Sequence, residues 1–199
     1  MMYVKASSEK MPFKERIPVR LPDSRDELSG LLLGKYGVEV CGRGMEFVMD
    51  DCCMSKVEKV VKWLYDSQKR GLLLCGTVGN GKTTMLKALK SLLGHNAVYL
   101  EAQAIYDYCR KNQCLPEISS DIVVLIDELG VEPPSYNDFG AVVYPLAQFL
   151  LNRYARNATT VIATNRTLDE IGEIYGIRVK DRMREMFARI TYGEPSYRR

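Results

Sequence analysis

The chain has 199 residues, 46% of them apolar and 27% charged, and its net charge is +3. This composition is typical of one well-packed globular domain, and the small charge excess does not by itself indicate a nucleic-acid partner. No apolar run approaches the ~20 residues that span a bilayer, and the N-terminus has no apolar signal region, so we expect no membrane association.

The cysteines indicate a reducing environment. The six cysteines form no C-x-x-C pair, and His95 is the single histidine. This pattern argues against a zinc site and favours free thiols. We therefore expect a cytoplasmic protein.

The first part of the chain has weak signals. Residues 1–26 are polar and contain prolines, which predicts an extended arm. Residues 26–51 alternate short apolar pieces with glycines and predict a small helix and a turn packed on the main domain. A capping box, S-x-x-E, begins at Ser55 and predicts the start of a helix. We therefore assign residues 1–54 to an N-terminal arm and small linker region and residues 55–199 to the main domain.

A glycine-rich motif follows this helix. The apolar run at residues 72–75 predicts a buried strand, and the next residues read G-x-x-x-x-G-K-T, the phosphate-binding P-loop. Glycines let the backbone approach a ligand closely, and the loop N–H groups and the next helix N-terminus attract phosphate. We expect Lys82 to reach the β- and γ-phosphates and Thr83 to bind Mg²⁺. The predicted nucleotide-binding residues are Gly76, Thr77, Val78, Gly79, Asn80, Gly81, Lys82, Thr83 and Thr84.

Strands and helices alternate in the rest of the chain. The helix after the P-loop has apolar residues at helical spacing and ends at Gly94 as a C-cap. Pro145 must kink or start the helix predicted at residues 139–154. This alternation predicts an α/β fold with a parallel sheet covered on both faces. The further strands are predicted at residues 97–100, 122–126, 159–164 and 189–192, and the further helices at residues 102–111 and 139–154, from Thr167, and at 178–187.

Two strand ends carry candidate catalytic residues. Asp127 follows the apolar run at residues 122–126 and has the position of a Walker B aspartate, which holds Mg²⁺ opposite Thr83. We expect the strand of Asp127 to neighbour the P-loop strand in the sheet. Glu128 can polarise water as a general base, and Asn165, at the next strand end, can hydrogen-bond the γ-phosphate or the attacking water. An acidic strand cap and a turn asparagine are the simpler alternatives for these residues.

The motifs together carry a family resemblance. GTVGNGKTT, LIDELG, TVIATN and GIRVKDRM, in this order, resemble the AAA+ ATPases of the DnaC-like helicase loaders, with the IstB-type transposition ATPases as the nearest relatives. The resemblance covers residues 55–192. It implies a P-loop NTPase fold of AAA+ type, with an αβα core and a five-stranded parallel sheet of order 5-1-4-3-2. We expect no C-terminal lid domain, because no chain remains for one after Tyr192.

The same resemblance implies an assembly. ATP and Mg²⁺ would lie between the subunits of a homo-oligomer, and an arginine of one subunit would contact the ATP of its neighbour. Arg182 matches the family motif for this arginine, with Arg178 and Arg184 as alternatives. The short N-terminal region leaves open whether the partner is a replicative helicase or a transposase.

Two basic clusters are candidates for contact with DNA, an expectation that rests mainly on the resemblance. Residues 176–199 contain seven basic and three acidic residues. Arg110 and Lys111 lie near Tyr106 and Tyr108, which can offer charge and stacking to a single strand. A solvated helix face explains either cluster equally well.

The leading interpretation is an ATP-hydrolysing DNA replication accessory protein, a helicase-loader-like switch on single-stranded DNA. An IstB-like helper ATPase of transposition and a nucleotide-dependent scaffold with little turnover are the alternatives. A small-molecule P-loop kinase is disfavoured because residues 128–160 contain only Arg153 and Arg156 for a substrate lid. The absence of N-K-x-D disfavours a GTPase.

Overall fold

The computed structural model describes residues 19–193, so residues 1–18 of the predicted arm and the basic residues Arg198 and Arg199 lie outside the described residues. No helix within the described range is long and apolar enough to cross a membrane. The helices are α1 (Arg25–Cys41), α2 (Asp51–Asp66), α3 (Lys82–Leu93), α4 (Ala102–Asn112), α5 (Pro145–Ala155), α6 (Leu168–Tyr175) and α7 (Ile177–Met186). The strands are β1 (Gly71–Gly76), β2 (Ala97–Glu101), β3 (Val123–Asp127), β4 (Tyr136–Asp138), β5 (Ala141–Val143), β6 (Thr160–Thr164) and β7 (Phe187–Tyr192).

The main sheet has five parallel strands in the order β2-β3-β6-β1-β7. When only these five strands are numbered, the order read from the β7 edge is the predicted 5-1-4-3-2. The labels β1 to β7 differ from that order because they also count β4 and β5, which form a separate hairpin that was not predicted. The prediction that the P-loop strand neighbours the strand of Asp127 is wrong, because β6 pairs with both β1 and β3 and lies between them.

Both faces of the sheet are covered by helices. Successive side chains of a strand point to opposite faces, so the apolar runs supply two cores at once. In β1, for example, Leu72 and Leu74 pack toward α1, α2 and α3, whereas Leu73 and Cys75 pack toward α4, α5, α6 and α7. The sheet thus presents the carboxyl ends of its strands along one edge, where the candidate site lies.

The N-terminal helices belong to the same core as the sheet. Leu28, Leu32 and Tyr36 of α1 are buried together with the inner face of α3. The capping box predicted at Ser55 is wrong, because α2 begins at Asp51 and Asp50 accepts the capping bond from the backbone N–H of Cys53. The boundary predicted between residues 54 and 55 therefore falls inside α2.

The segment before α5 differs from the predicted helix at residues 139–154. Residues 136–143 form the β4–β5 hairpin, and the chain turns at Phe139 and Gly140, both with positive φ. Pro145 is at the first turn of α5, where its missing N–H is harmless, so it starts the helix instead of kinking it. The capping box at Thr167 is confirmed, with reciprocal bonds between Thr167 and Glu170.

Candidate nucleotide-binding site

A cavity of about 700 Å³ lies at the carboxyl edge of the sheet. It brings together the P-loop, the end of β3 and the end of β6, although these segments are far apart in the sequence. Gly76, Thr77 and Asn80 do not line the cavity, and neither does Arg182. The predicted residues that line it are Val78, Gly79, Gly81, Lys82, Thr83, Thr84, Asp127, Glu128 and Asn165.

The P-loop takes a conformation that glycine permits. Gly79 and Gly81 have φ values of 87° and 92°, which place them in the region that other residues rarely adopt. A Cβ at Gly81 would also collide with the hydroxyl of Tyr36. Gly81 precedes α3, so the loop leads directly into a helix N-terminus. The loop and this helix end form the kind of site that binds phosphate.

Lys82 folds back onto its own loop. Its Nζ donates to the carbonyl oxygens of Gly76 and Thr77 at 2.8 and 2.7 Å, and to Oδ1 of Asn80 at 3.1 Å. Burial lowers the pKa of Lys82, and the nearby Asp127 carboxylate opposes this shift. A phosphate oxygen could therefore replace these loop oxygens as the acceptor of hydrogen bonds from the Lys82 amine.

A buried lysine supports the same loop from α2. Lys56 is 1% exposed, and its Nζ donates to the carbonyl oxygen of Asn80 at 3.2 Å. The amine also lies 5.0 Å from the ring centre of Tyr192. The side chain of Asn80 in turn donates to the carbonyl oxygen of Tyr192 at 2.9 Å, which fastens the loop to β7. Lys56 was not predicted as a site residue, because a lysine inside a capping motif is usually exposed to solvent.

Asp127 is buried at the end of β3, with 3% of its surface exposed. Its Oδ2 accepts a hydrogen bond from the Tyr99 hydroxyl at 2.6 Å, and its Oδ1 accepts from the backbone N–H of Glu128 at 3.0 Å. Burial and the bond to Asp127 raise the pKa of Tyr99, so the phenol keeps its proton. Tyr99 was not predicted as a site residue, because its role depends on the pairing of β2 with β3.

Glu128 is exposed to the cavity and has φ of 57°. A side chain other than glycine in this region is strained, and such strain is concentrated at functional sites. The next residue holds the turn, because the backbone N–H of Leu129 donates to the carbonyl of Ala163 at 3.1 Å. The carbonyl of Leu129 accepts from the Thr164 hydroxyl at 2.7 Å. The loop after β3 is therefore tied to the end of β6, where Asn165 faces the same cavity.

The opposite wall of the cavity comes from the N-terminal region. Tyr36 and Val40 of α1, Phe47 from the loop before α2, and Cys53 of α2 line it. Burial and the charge of Asp50 raise the pKa of Cys53 to about 11, so the thiol is neutral. The start of α1 could have been anticipated from S-x-x-E at Ser24, whose side chain caps the helix, but the packing of α1 against the cavity could not.

Arg182 lies on α7, outside this cavity. Its guanidinium stacks over the ring of Tyr154 at 4.8 Å, and it donates to Glu185 at 3.0 Å. Arg184 of the same helix lies within 3.8 Å of both Asp169 and Asp181. Among the described residues that line the cavity, Arg43 is the only arginine. None of the arginines of α7 lines this cavity.

One residue of the proposed DNA contact is unsuited to stacking. Tyr106 is buried, packs edge-on against Tyr136 and has its hydroxyl 3.5 Å from the Ser135 carbonyl oxygen. Its selection was wrong because α4 turns this residue toward the core. Tyr108, Arg110 and Lys111 are exposed.

The comparisons with known proteins agree with this architecture. No family model matches the chain. An AAA-ATPase of Arabidopsis thaliana is 32% identical over 84 residues, which is 42% of this chain and only 18% of the plant protein. The fold and the cavity define an α/β domain that carries a P-loop at the carboxyl edge of a parallel sheet.

Solved structures of similar fold include two proteins. The crystal structure of DnaI superposes with a TM-score of 0.52 and 17% identity, over 87% of this chain and 99% of that chain. AMPPCP-bound DnaA from Aquifex aeolicus gives a TM-score of 0.49 and 17% identity, over 72% of this chain and 48% of that chain. The likeness to DnaI shows a shared fold.

Proposed function

We propose that the protein is an ATP-hydrolysing AAA+ switch of DNA replication, which acts on single-stranded DNA in the manner of a helicase loader. The observation that supports it most is the convergence of the P-loop, Asp127, Glu128 and Asn165 on one cavity. A phosphate loop, a metal-binding carboxylate, a candidate base and a neutral amide are the groups that ATP hydrolysis needs.

Binding of the triphosphate would use the P-loop and Lys82. Phosphate oxygens would accept from the loop N–H groups, and the amine of Lys82 would exchange its bonds to loop carbonyls for bonds to phosphate. The apolar wall of Tyr36, Val40 and Phe47 leaves room for the nucleoside beside the loop.

The donor set also fits Mg²⁺. The Thr83 hydroxyl and the Asp127 carboxylate line the same cavity, and oxygen atoms are the ligands that this ion prefers. Mg²⁺, when bound, neutralises charge on the phosphates. Thr83 and Asp127 are the residues that would hold the ion.

Hydrolysis would depend on Glu128 and Asn165. Glu128 is exposed to the cavity, so its carboxylate can accept a proton from the attacking water. Asn165 can donate from its amide to the γ-phosphate or the water. The hydroxyl of Thr164, the residue before Asn165, donates to the loop that follows Glu128. A conformational change at Glu128 or at Asn165 would therefore be transmitted to the other residue.

A second copy of the chain would complete the site. Arg182 is on the surface of α7, and an arginine supplied by a neighbouring subunit can stabilise the charge of the transition state. We therefore propose a homo-oligomer with ATP between subunits. The fold shared with DnaI and the exposed basic residues Arg110 and Lys111 support a role on DNA, with a helicase or, alternatively, a transposase as the partner.

The decisive experiment measures ATP binding and phosphate release in wild type and Glu128→Gln, with and without single-stranded DNA. We expect wild type to bind ATP and release phosphate, and the variant to bind equally well but turn over at least about 100-fold more slowly. Glu101→Gln is the matched control, because Glu101 ends the neighbouring strand and does not line the cavity. ATP binding without phosphate release by wild type would point to a scaffold instead, and equal release by wild type and Glu128→Gln would overturn the role of Glu128.

A further inference from the structure

Tyr99 contacts the site from outside the cavity. It lies on β2, is half-buried and does not line the cavity, yet its hydroxyl donates to Oδ2 of Asp127 at 2.6 Å. The ammonium of Lys87 lies 5.7 Å from the centre of its ring, on the face that helix α3 covers. The direct contact of Tyr99 with a residue that lines the cavity is thus its hydrogen bond to Asp127.

The strand register explains this contact. Tyr99 pairs with Leu125, and Glu101 pairs with Asp127. Because side chains two residues apart share a face of the sheet, Tyr99, Leu125 and Asp127 all lie on the same face. A tyrosine is long enough to cover the diagonal distance to the strand end. The contact is thus built into the pairing of two strands and does not depend on a mobile loop.

The hydrogen bonds of Asp127 fix the plane of its carboxylate. Tyr99 donates to one oxygen and the backbone N–H of Glu128 donates to the other. Each carboxylate oxygen can accept a further bond, so the group remains able to bind an ion or its water. The same carboxylate holds the backbone of Glu128, whose φ is 57°. Two hydrogen bonds, both accepted by Asp127, thus connect Tyr99 with the candidate base Glu128.

We propose that Tyr99 is a positioning residue for the metal site, which orients the Asp127 carboxylate toward Mg²⁺ and steadies the turn at Glu128. This inference rests on the proposed function. Groups that hydrogen-bond a metal ligand set its orientation, and their loss typically lowers metal affinity by 10–100-fold. Without the hydroxyl, Asp127 would keep only the bond to the Glu128 N–H and could rotate away.

The test is Tyr99→Phe, which keeps the ring and removes the hydroxyl. Mn²⁺ is titrated by electron paramagnetic resonance into the complex with a non-hydrolysable ATP analogue, and analogue affinity is measured separately in EDTA. We expect the dissociation constant of Mn²⁺ to rise about tenfold and the affinity in EDTA to be unchanged. Tyr136→Phe is the matched control, because the Tyr136 hydroxyl donates to a backbone carbonyl, that of Cys109, and lies outside the cavity lining.

The outcomes separate this inference from the proposed function. If wild type binds no Mn²⁺ with the analogue, the proposed nucleotide site is wrong. If wild type binds Mn²⁺ and Tyr99→Phe binds it equally well, only the role of Tyr99 is wrong. A parallel loss of metal affinity and of affinity in EDTA would show general damage and would likewise overturn the role.

A second measurement tests the inference if Tyr99→Phe does not fold. With 3-fluorotyrosine at position 99 of the full chain, addition of Mg²⁺ to the analogue complex should shift the fluorine resonance. The same label at position 136 should not respond. An unchanged resonance at position 99 would contradict the inference.

Discussion

Lys56 shows how a single buried charge can serve a binding loop. Its amine meets the carbonyl of Asn80 inside the protein, and the side chain of Asn80 contacts both Lys82 and β7. The loop conformation that suits phosphate therefore depends on a residue that the ligand does not touch. Another lysine of the same helix, Lys59, is exposed and offers a comparison.

We predict that Lys56→Met weakens ATP binding by about tenfold, because a buried carbonyl that loses its donor costs about 1–3 kcal/mol. The dissociation constant is measured by titration with a fluorescent ATP analogue at a temperature where thermal unfolding shows both proteins folded. Lys59→Met should bind as wild type does. Unchanged affinity in Lys56→Met would leave Lys56 with a packing role alone.

At the scale of elements, the loop after β3 joins the site to helix α6. Glu132 is buried in this loop, accepts from the backbone N–H of Gly130 at 3.0 Å and also accepts from the hydroxyl of Tyr175 on α6. Burial raises the pKa of Glu132 above its ordinary value of 4.5, although the hydrogen bonds oppose the shift. Glu132 thus binds its proton more tightly in the folded protein than in the unfolded chain.

This shift predicts a pH dependence of stability. Between pH 4.5 and the raised pKa, the folded state binds more protons than the unfolded state, so the free energy of unfolding falls as pH rises. Glu132→Gln cannot titrate but keeps an oxygen for Tyr175. We expect the stability of the variant, relative to wild type, to increase with pH across this window. Denaturant unfolding from pH 4.5 to 8 measures it, with the exposed Glu117→Gln as control; a constant difference would contradict the assignment.

Most of the helices and strands could be predicted from the sequence, whereas several contacts between them could not. The main strands and the helices after the P-loop were predictable because apolar runs and helical spacing are local signals. The β4–β5 hairpin was not, since Phe139 takes a positive φ that its residue type does not suggest. The bond from Tyr99 to Asp127 depends on strand register, and the apolar wall from α1 depends on packing across the domain. Such long-range contacts leave no periodic pattern.

At the scale of the whole molecule, the site and its candidate arginine occupy different surfaces. Asp127 and Glu128 face the cavity, whereas Arg182 lies on α7 against Tyr154 and Glu185. Two separate surfaces of one chain meet when one copy packs head to tail on the next. The proposed function therefore predicts that one subunit completes the site of the next.

Mixing two inactive variants tests this arrangement. Arg182→Ala keeps the cavity but offers no arginine, and Glu128→Gln keeps the arginine but has no base. Each alone should hydrolyse ATP at least about 100-fold more slowly than wild type. In an equal mixture with random assembly, about a quarter of the contacts join an intact cavity to an intact arginine, so phosphate release should reappear. Arg178→Ala and Arg184→Ala are the controls, because each should remain active by itself; a mixture that stays inactive would show that Arg182 does not act between subunits.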